Sequence, residues 1–219
     1  MGDAKFMLSW ITAITSVVVQ MVGMQICFRI VRKGSTGDMS NIPFLSYFIC
    51  ACIWLRYGLL THIPAVVLVN LTAALLQFSY MTVFYLYCLQ RTHLYRQYMI
   101  GCSTLFGILA YIKYFVPDEA TAKDHLGLLG CLFTVIGYGA PLATLADVLQ
   151  TKSTESMSFL MCFANLVVAF EWGWYGYLLK DAYIGVPNIF GIILGALQMY
   201  LFIKFPSSKT RSTSKALLA

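Results

Sequence analysis

The sequence predicts an all-α integral membrane protein with seven transmembrane helices, arranged as two parallel three-helix repeats joined by one linker helix (3+1+3). Three observations predict it. Of the 219 residues, 59% are hydrophobic and only 11% are charged, whereas a water-soluble domain carries about 25% charged residues. The apolar residues fall in seven runs separated by short polar breaks. A set of identical residues recurs at one fixed offset of 118 positions.

The runs lie at about 7–31, 42–60, 64–89, 98–116, 126–149, 157–179 and 182–205. A bilayer core of about 30 Å takes about 20 apolar helical residues. Each run is of that order, and in lipid it must be helical, because its backbone groups have to be bonded within the segment. The first run exceeds a signal-peptide core and has no clear small-residue cleavage site, so it is read as the first span. The basic stretch 206–219 reads as a polar tail.

The Lys/Arg bias sets the orientation. One side holds Arg29, Arg32, Lys33, Arg91, Arg96, Lys152, Lys204, Lys209, Arg211 and Lys215; the other holds only Lys5, Lys113, Lys123 and Lys180. This places the N-terminus outside or in a lumen and the C-terminus in the cytosol. It also accounts for the net charge of +6, so no nucleic-acid partner is expected.

The repeat pairs Ser35-Thr36 with Ser153-Thr154, Met39-Ser40 with Met157-Ser158, Trp54 with Trp172, Tyr57-Gly58 with Tyr175-Gly176, and Asn70 with Asn188. Spans 1–3 and 5–7 are the repeats. Three helices reverse direction across the membrane, so one extra helix is needed to give both units the same orientation. The expected divisions are 1–90 for the first repeat, 91–124 for linker helix 4 and its loops, 125–205 for the second repeat and 206–219 for the cytosolic tail. A transport pathway between the halves is the expected use of such a plan.

The candidate substrate-binding residues are Asn70, Asn188, Trp54 and Trp172. Each asparagine lies about six residues into its span, roughly 9 Å from the external side. An uncharged amide pair offers donors and acceptors for a neutral hydroxylated ligand, although interhelical bonding is the other use of such residues. The indoles could stack on a sugar ring or belong to an interfacial aromatic belt. Tyr57, Gly58, Tyr175 and Gly176 are candidates for an external gate, with a helix-end role equally open. Arg56 and Glu171 are costly intramembrane charges, read as a possible inter-repeat ion pair. The hinge candidates are Gly23, Pro43, Pro141 and Ser158; Pro141 removes a backbone bond in mid-span and should kink its helix. The seven cysteines form no CxxC pair and no cluster with histidine. No metal site, cofactor or catalytic residue is expected, because no nucleophile–base set, paired carboxylates or metal cluster stands at one depth.

Together these motifs resemble the SWEET family of sugar transporters, of the animal type, over almost the whole chain. The carrying residues are Arg29-Ile30-Val31-Arg32-Lys33-Gly34-Ser35-Thr36, Ile42-Pro43-Phe44, Tyr57-Gly58, Val69-Asn70, Ala140-Pro141-Leu142, Gln150-Thr151-Lys152-Ser153-Thr154, Trp174-Tyr175-Gly176 and Val186-Pro187-Asn188-Ile189-Phe190-Gly191. The SWEETs are themselves an example of parallel repeats. The resemblance implies facilitated, bidirectional uniport of mono- or disaccharides by alternating access, with the asparagines and tryptophans in the sugar pocket and the Tyr-Gly pairs at the external gate. It implies four hinge prolines, of which this chain keeps Pro43 and Pro141, with Gly23 and Ser158 at the other two places. The bulk of Trp54 favours glucose-type hexoses. The expected partners are the sugar substrate, membrane lipid and further copies of the chain in a homo-oligomer. The expected home is the plasma membrane, the Golgi membrane or both. A seven-helix receptor fits the topology but has no need of the repeat. A PQ-loop exporter of another small solute would be expected to show a Pro-Gln dipeptide, which is absent.

Overall fold

A computed structural model describes residues 2–205, so the basic tail at 206–219 lies outside the described residues. The described residues form helices α1 (Gly2–Gln20), α2 (Gly23–Lys33), α3 (Ile42–Thr61), α4 (Pro64–Tyr87), α5 (Arg91–Tyr114), α6 (Glu119–Gly137), α7 (Gly139–Thr151), α8 (Phe159–Leu179) and α9 (Ala182–Lys204). Helices α1 and α2 are two pieces of one span, as are α6 and α7, so the chain has the seven spans of the 3+1+3 plan. Residues 5–33, α3, α4, residues 119–151 and α9 are each long and apolar enough to cross a membrane. The remaining two spans, α5 and α8, are of similar length, and of these α5 is the more polar. Helix α5 carries Arg91, His93, Arg96 and Lys113, and α8 carries Asn165 and Glu171.

One boundary differs from the hydropathy pattern. The polar stretch 90–97 is mostly helical, since α5 begins at Arg91. Hydropathy marks where lipid begins, and a helix can run past that point into water. The Tyr98 hydroxyl lies 3.0 Å from Asn41 Oδ1 and 2.9 Å from the Met81 carbonyl. That contact ties this end of α5 to α4 and to the residue before α3.

The chain forms two compact units that meet at Gly137 and Tyr138, inside the fifth span. In the first, α3 packs on α4, α5 and α6, while α1 and α2 pack on α4. Its most buried side chains include Ile30, Ile53, Tyr57, Val66 and Leu126. In the second, α9 packs on α8 and α7. Large apolar side chains such as Phe6, Ile14, Phe28, Phe106 and Ile203 face outward, as a lipid-facing surface requires.

Both units turn their helix hairpins in the same way. The Ile63 amide donates to the Gly58 carbonyl at 3.1 Å, and the Asp181 amide donates to the Gly176 carbonyl at 2.9 Å. This bond accompanies a left-handed residue just past the helix end, here His62 at φ 54° and Lys180 at φ 58°. Gly34 at φ 68° and Lys152 at φ 55° end α2 and α7 in the same fashion. Each pair is separated by 118 positions, so the repeat extends to backbone conformations that residue identity hides. The loops are also held alike. The Thr36 amide donates to the Tyr87 carbonyl at 3.4 Å, and the Thr154 hydroxyl donates to the Phe205 carbonyl at 2.9 Å.

A side-chain lysine in the left-handed region is strained by its Cβ. Lys152→Gly and Lys180→Gly should therefore each stabilise the fold by about 0.5–1 kcal/mol, read as a raised unfolding midpoint in detergent; an unchanged or lowered midpoint would contradict the strain. Outside the membrane, the Asp118 carboxylate accepts from the Thr121 amide at 2.8 Å and from its hydroxyl at 2.9 Å. The bond to the backbone holds its pKa below the usual carboxylate range, with the hydroxyl bond adding to it. Its folded pKa is depressed, so the stabilisation is present above the ordinary carboxylate range and is lost as pH falls through the folded value. Amide exchange in the first turn of α6 should quicken over that acidic window, and Asp118→Ala should remove the pH dependence.

Candidate functional site

Asn70 and Asn188 occupy matching places in α4 and α9. Asn70 Nδ2 donates to the Val66 carbonyl at 2.8 Å, and Asn188 Nδ2 donates to the Ile184 carbonyl at 2.7 Å. Each amide is thereby pinned to its own helix one turn back, with its rotamer set. One N–H of each Nδ2 is used, while each Oδ1 has no hydrogen-bond partner among the described residues. Both side chains are half-buried. A fixed carbonyl oxygen beside a spare N–H suits a hydroxyl group, which both donates and accepts.

The Tyr-Gly pairs stand behind this arrangement. A Cβ on Gly58 would lie 2.8 Å from Val66 Cγ1 and 3.0 Å from the Val67 amide nitrogen. A Cβ on Gly176 would lie 2.7 Å from the Gly185 nitrogen and 3.1 Å from the Ile184 carbonyl carbon. Thus each glycine packs against the residue whose carbonyl pins the asparagine. Tyr57 and Tyr175 are buried at 0% and 5% exposure. In this conformation, then, the tyrosines are packed, and their glycines close the α3–α4 and α8–α9 hairpins.

The tryptophans repeat as well. Trp54 meets Tyr57 edge-on with ring centroids 5.3 Å apart, and Trp172 meets Tyr175 edge-on at 5.9 Å. Trp54 Nε1 donates to the Thr134 hydroxyl at 3.1 Å. That hydroxyl donates in turn to the Gly130 carbonyl at 2.8 Å. The indole lies over Gly130, where a Cβ would come within 2.7 Å of Trp54 Cε2. The Trp54 N–H is therefore occupied within the unit. Thr134 and Gly130 had no part in the sequence reading. One signal was available, since Thr134 and Ser16 are both hydroxyl residues 118 positions apart.

The remaining sequence candidates fall as follows. Pro43 lies in the first turn of α3. Ser158 precedes α8, where its hydroxyl accepts from the Met161 amide at 3.4 Å. Both therefore sit at helix starts. Pro141 and Gly23 lie beside true breaks. Pro141 has no N–H for the Gly137 carbonyl, and α6 ends at Gly137. Near Gly23 the Met24 and Gln25 amides turn back only three residues, to Met21 and Val22, both at 3.0 Å. Arg56 is exposed on α3 and Glu171 is half-buried on α8; they belong to different units. Trp174, the repeat partner of Arg56, is also exposed. A polar residue missed in the sequence is Asp181, which is 7% exposed and caps α9 by accepting from Tyr183 N at 3.1 Å and Ile184 N at 3.4 Å.

A duplicated helical membrane protein with neutral polar residues repeated in each half belongs to the transporter class. The family described as "Sugar efflux transporter for intercellular exchange" matches residues 6–92 and again 124–210. Both limits of the second match are displaced by the same 118 positions as the internal repeat. Among curated relatives, Sugar transporter SWEET1 of Drosophila pseudoobscura pseudoobscura is 33% identical over 89% of this chain and 87% of its own length. Sugar transporter SWEET1 of Rattus norvegicus is 36% identical over 80% of this chain and 79% of its own. The Homo sapiens protein of that name is 34% identical over 81% and 80%. A solved eukaryotic SWEET transporter shares the fold, with TM-score 0.85 and 22% identity over 93% of this chain and 97% of that one. The chain belongs to the SWEET family, a family of transporters and not of enzymes.

Removing a hydroxyl that partners a half-buried indole leaves the N–H unpaired. Thr134→Val should cost about 1–3 kcal/mol, read as a lowered unfolding midpoint with altered tryptophan fluorescence. Gly176→Ala should destabilise more than Gly58→Ala, because its added Cβ meets backbone where the other meets chiefly a valine side chain; equal effects would count against this packing.

Proposed function

We propose that this chain is a facilitative, bidirectional uniporter for small sugars, with glucose-type hexoses as its main cargo and alternating access as its mechanism. The observation that carries the reading is the repeated arrangement in each unit: an asparagine pinned by its own helix, backed by the glycine of a Tyr-Gly pair, with a tryptophan one turn before that pair. Membership of a sugar-transporter family supports it, as does the sugar transport for which the relatives are named. Asn70 and Asn188 bind sugar hydroxyls through their amides, while Trp54 and Trp172 contribute ring faces to the apolar C–H side of the sugar. All four are uncharged, which suits a neutral ligand. Uniport, without proton coupling, follows from the neutrality of this set. The bulk of Trp54 favours a hexose over a disaccharide. The basic side of the spans faces the cytosol, in the plasma membrane or the Golgi membrane.

Counterflow of labelled glucose, galactose, fructose and sucrose into proteoliposomes tests this. Glucose uptake should exceed sucrose uptake and should not respond to an imposed proton gradient. Asn70→Ala and Asn188→Ala should each raise half-saturation or lower uptake by about tenfold, the loss of roughly 1.4 kcal/mol of hydrogen bonding. Normal transport by both folded variants would remove the amides from the site. Robust sucrose uptake without glucose uptake would reject the hexose preference.

A further inference from the structure

The two sequence repeats each place a tyrosine-to-backbone contact beside the break in their first helix, built from opposite sides. In the first unit, Tyr80 on α4 donates its hydroxyl to the carbonyl of Gln20, the last residue of α1, at 3.3 Å. Its ring lies on Gly23, the first residue of α2, where any added Cβ would collide with the ring. In the second unit, Tyr138 occupies the break itself, between α6 and α7. It donates its hydroxyl to the Pro187 carbonyl on α9 at 3.0 Å, and that hydroxyl lies over Gly191, where an added Cβ would approach within 2.6 Å. Position 20 corresponds to 138 at the repeat offset, and position 80 corresponds to 198. The residues at these places are Gln20 and Tyr80 in one repeat and Tyr138 and Gln198 in the other. Tyrosine and glutamine have changed places, and each tyrosine bonds backbone between the broken helix and the third helix, although Tyr138 reaches Pro187, whose repeat counterpart is Val69, and not the turn of Gln198.

A residue kept for bulk alone would not need this exchange, because a tyrosine moved to the opposite helix must find a new carbonyl and a new glycine. Both are present. The break is the place where the first helix of each repeat has lost regular backbone bonding, at Pro141 because proline has no N–H and near Gly23 through three-residue hydrogen bonds.

We propose that Tyr80 and Tyr138 are positioning residues that latch the break of the first helix to the third helix in each repeat, and that release of these latches sets the rate at which the transporter reorganises. The inference rests on the transport reading for its rate clause only. The Tyr138 bond is the shorter and so the firmer of the two.

Tyr80→Phe and Tyr138→Phe each remove one hydroxyl and leave the ring in place. The full chain is reconstituted, and three quantities are read on folded protein: amide exchange of segments 18–25 and 136–142, the dissociation constant for glucose, and the maximal counterflow rate. Exchange in the matching segment should quicken in each variant. The counterflow rate should change about threefold to tenfold, more for Tyr138→Phe, while glucose binding stays within twofold. A merely structural defect would move binding with rate. Unchanged exchange in both variants overturns the latch, and quickened exchange with unchanged counterflow overturns its role in rate, as does a loss of binding that matches the loss of rate. If the wild-type protein moves none of the four sugars, the proposed function fails, and the exchange data alone decide the latch. Should a phenylalanine variant not fold, Gly23→Ala or Gly191→Ala displaces the tyrosine instead and is judged by the same measurements.

Discussion

The structure depends on how closely two helices can approach in lipid. Burying an apolar side chain against another helix gains little there, because lipid tails are as apolar as leucine, and association rests on packing and on bonded polar groups. Gly58 and Gly176 supply that packing. Each lets the second helix of its unit meet the backbone of the third, within a space that a single methyl group would fill. The approach brings the asparagine-bearing helix to its place and fixes the carbonyl on which the amide hangs. A tight turn closes the same hairpin, with a left-handed residue at His62 and at Lys180. Hairpin, glycine and asparagine thus form one mechanical unit, present in both halves.

Similarity at the hairpins contrasts with difference at the breaks. Pro141 interrupts the fifth span by its missing N–H. The first span has no proline at that place and interrupts itself near Gly23 through shortened hydrogen bonds. Both breaks expose a stretch of backbone that must be satisfied inside the membrane; at the first the Tyr80 hydroxyl bonds the Gln20 carbonyl, whereas at the second the Tyr138 hydroxyl reaches out of the break to the Pro187 carbonyl of α9. An Asp181 cap on α9 stands where α4 has Ile63 and Pro64. Such differences fall at helix ends and interruptions, where several chemistries can satisfy the same backbone groups. The helix–helix contact itself tolerates only glycine and is unchanged.

Much of the candidate arrangement was legible in the residues. Asn70 and Asn188 stood out because amides are expensive in apolar runs and because the offset singled them out. The Tyr-Gly pairs were legible as a feature but not as a function, since a gate and a packing contact share the same residues. Thr134 was not legible, being an ordinary threonine in a span, and its importance comes from a tryptophan 80 positions away. Ser158 and Pro43 were weighed as hinges by position, yet both lie at helix starts, where a cap or a first-turn proline is the local solution.

By itself the sequence determined the spans, their orientation bias, the duplication and the family. These follow from local constraints: lipid demands long apolar helical runs, and a duplicated gene leaves its offset in plain view. Tertiary structure decided which side chain meets which. The indole of Trp54 on Thr134, the hydroxyls of Tyr80 and Tyr138 on distant carbonyls, and the division of packing at Gly137 and Tyr138 all depend on contacts between helices. Helical periodicity gives the face a residue occupies but not the neighbour across it, so an exchange of tyrosine for glutamine between repeats reads as drift until the fold shows that each tyrosine bonds a carbonyl across the helix interface.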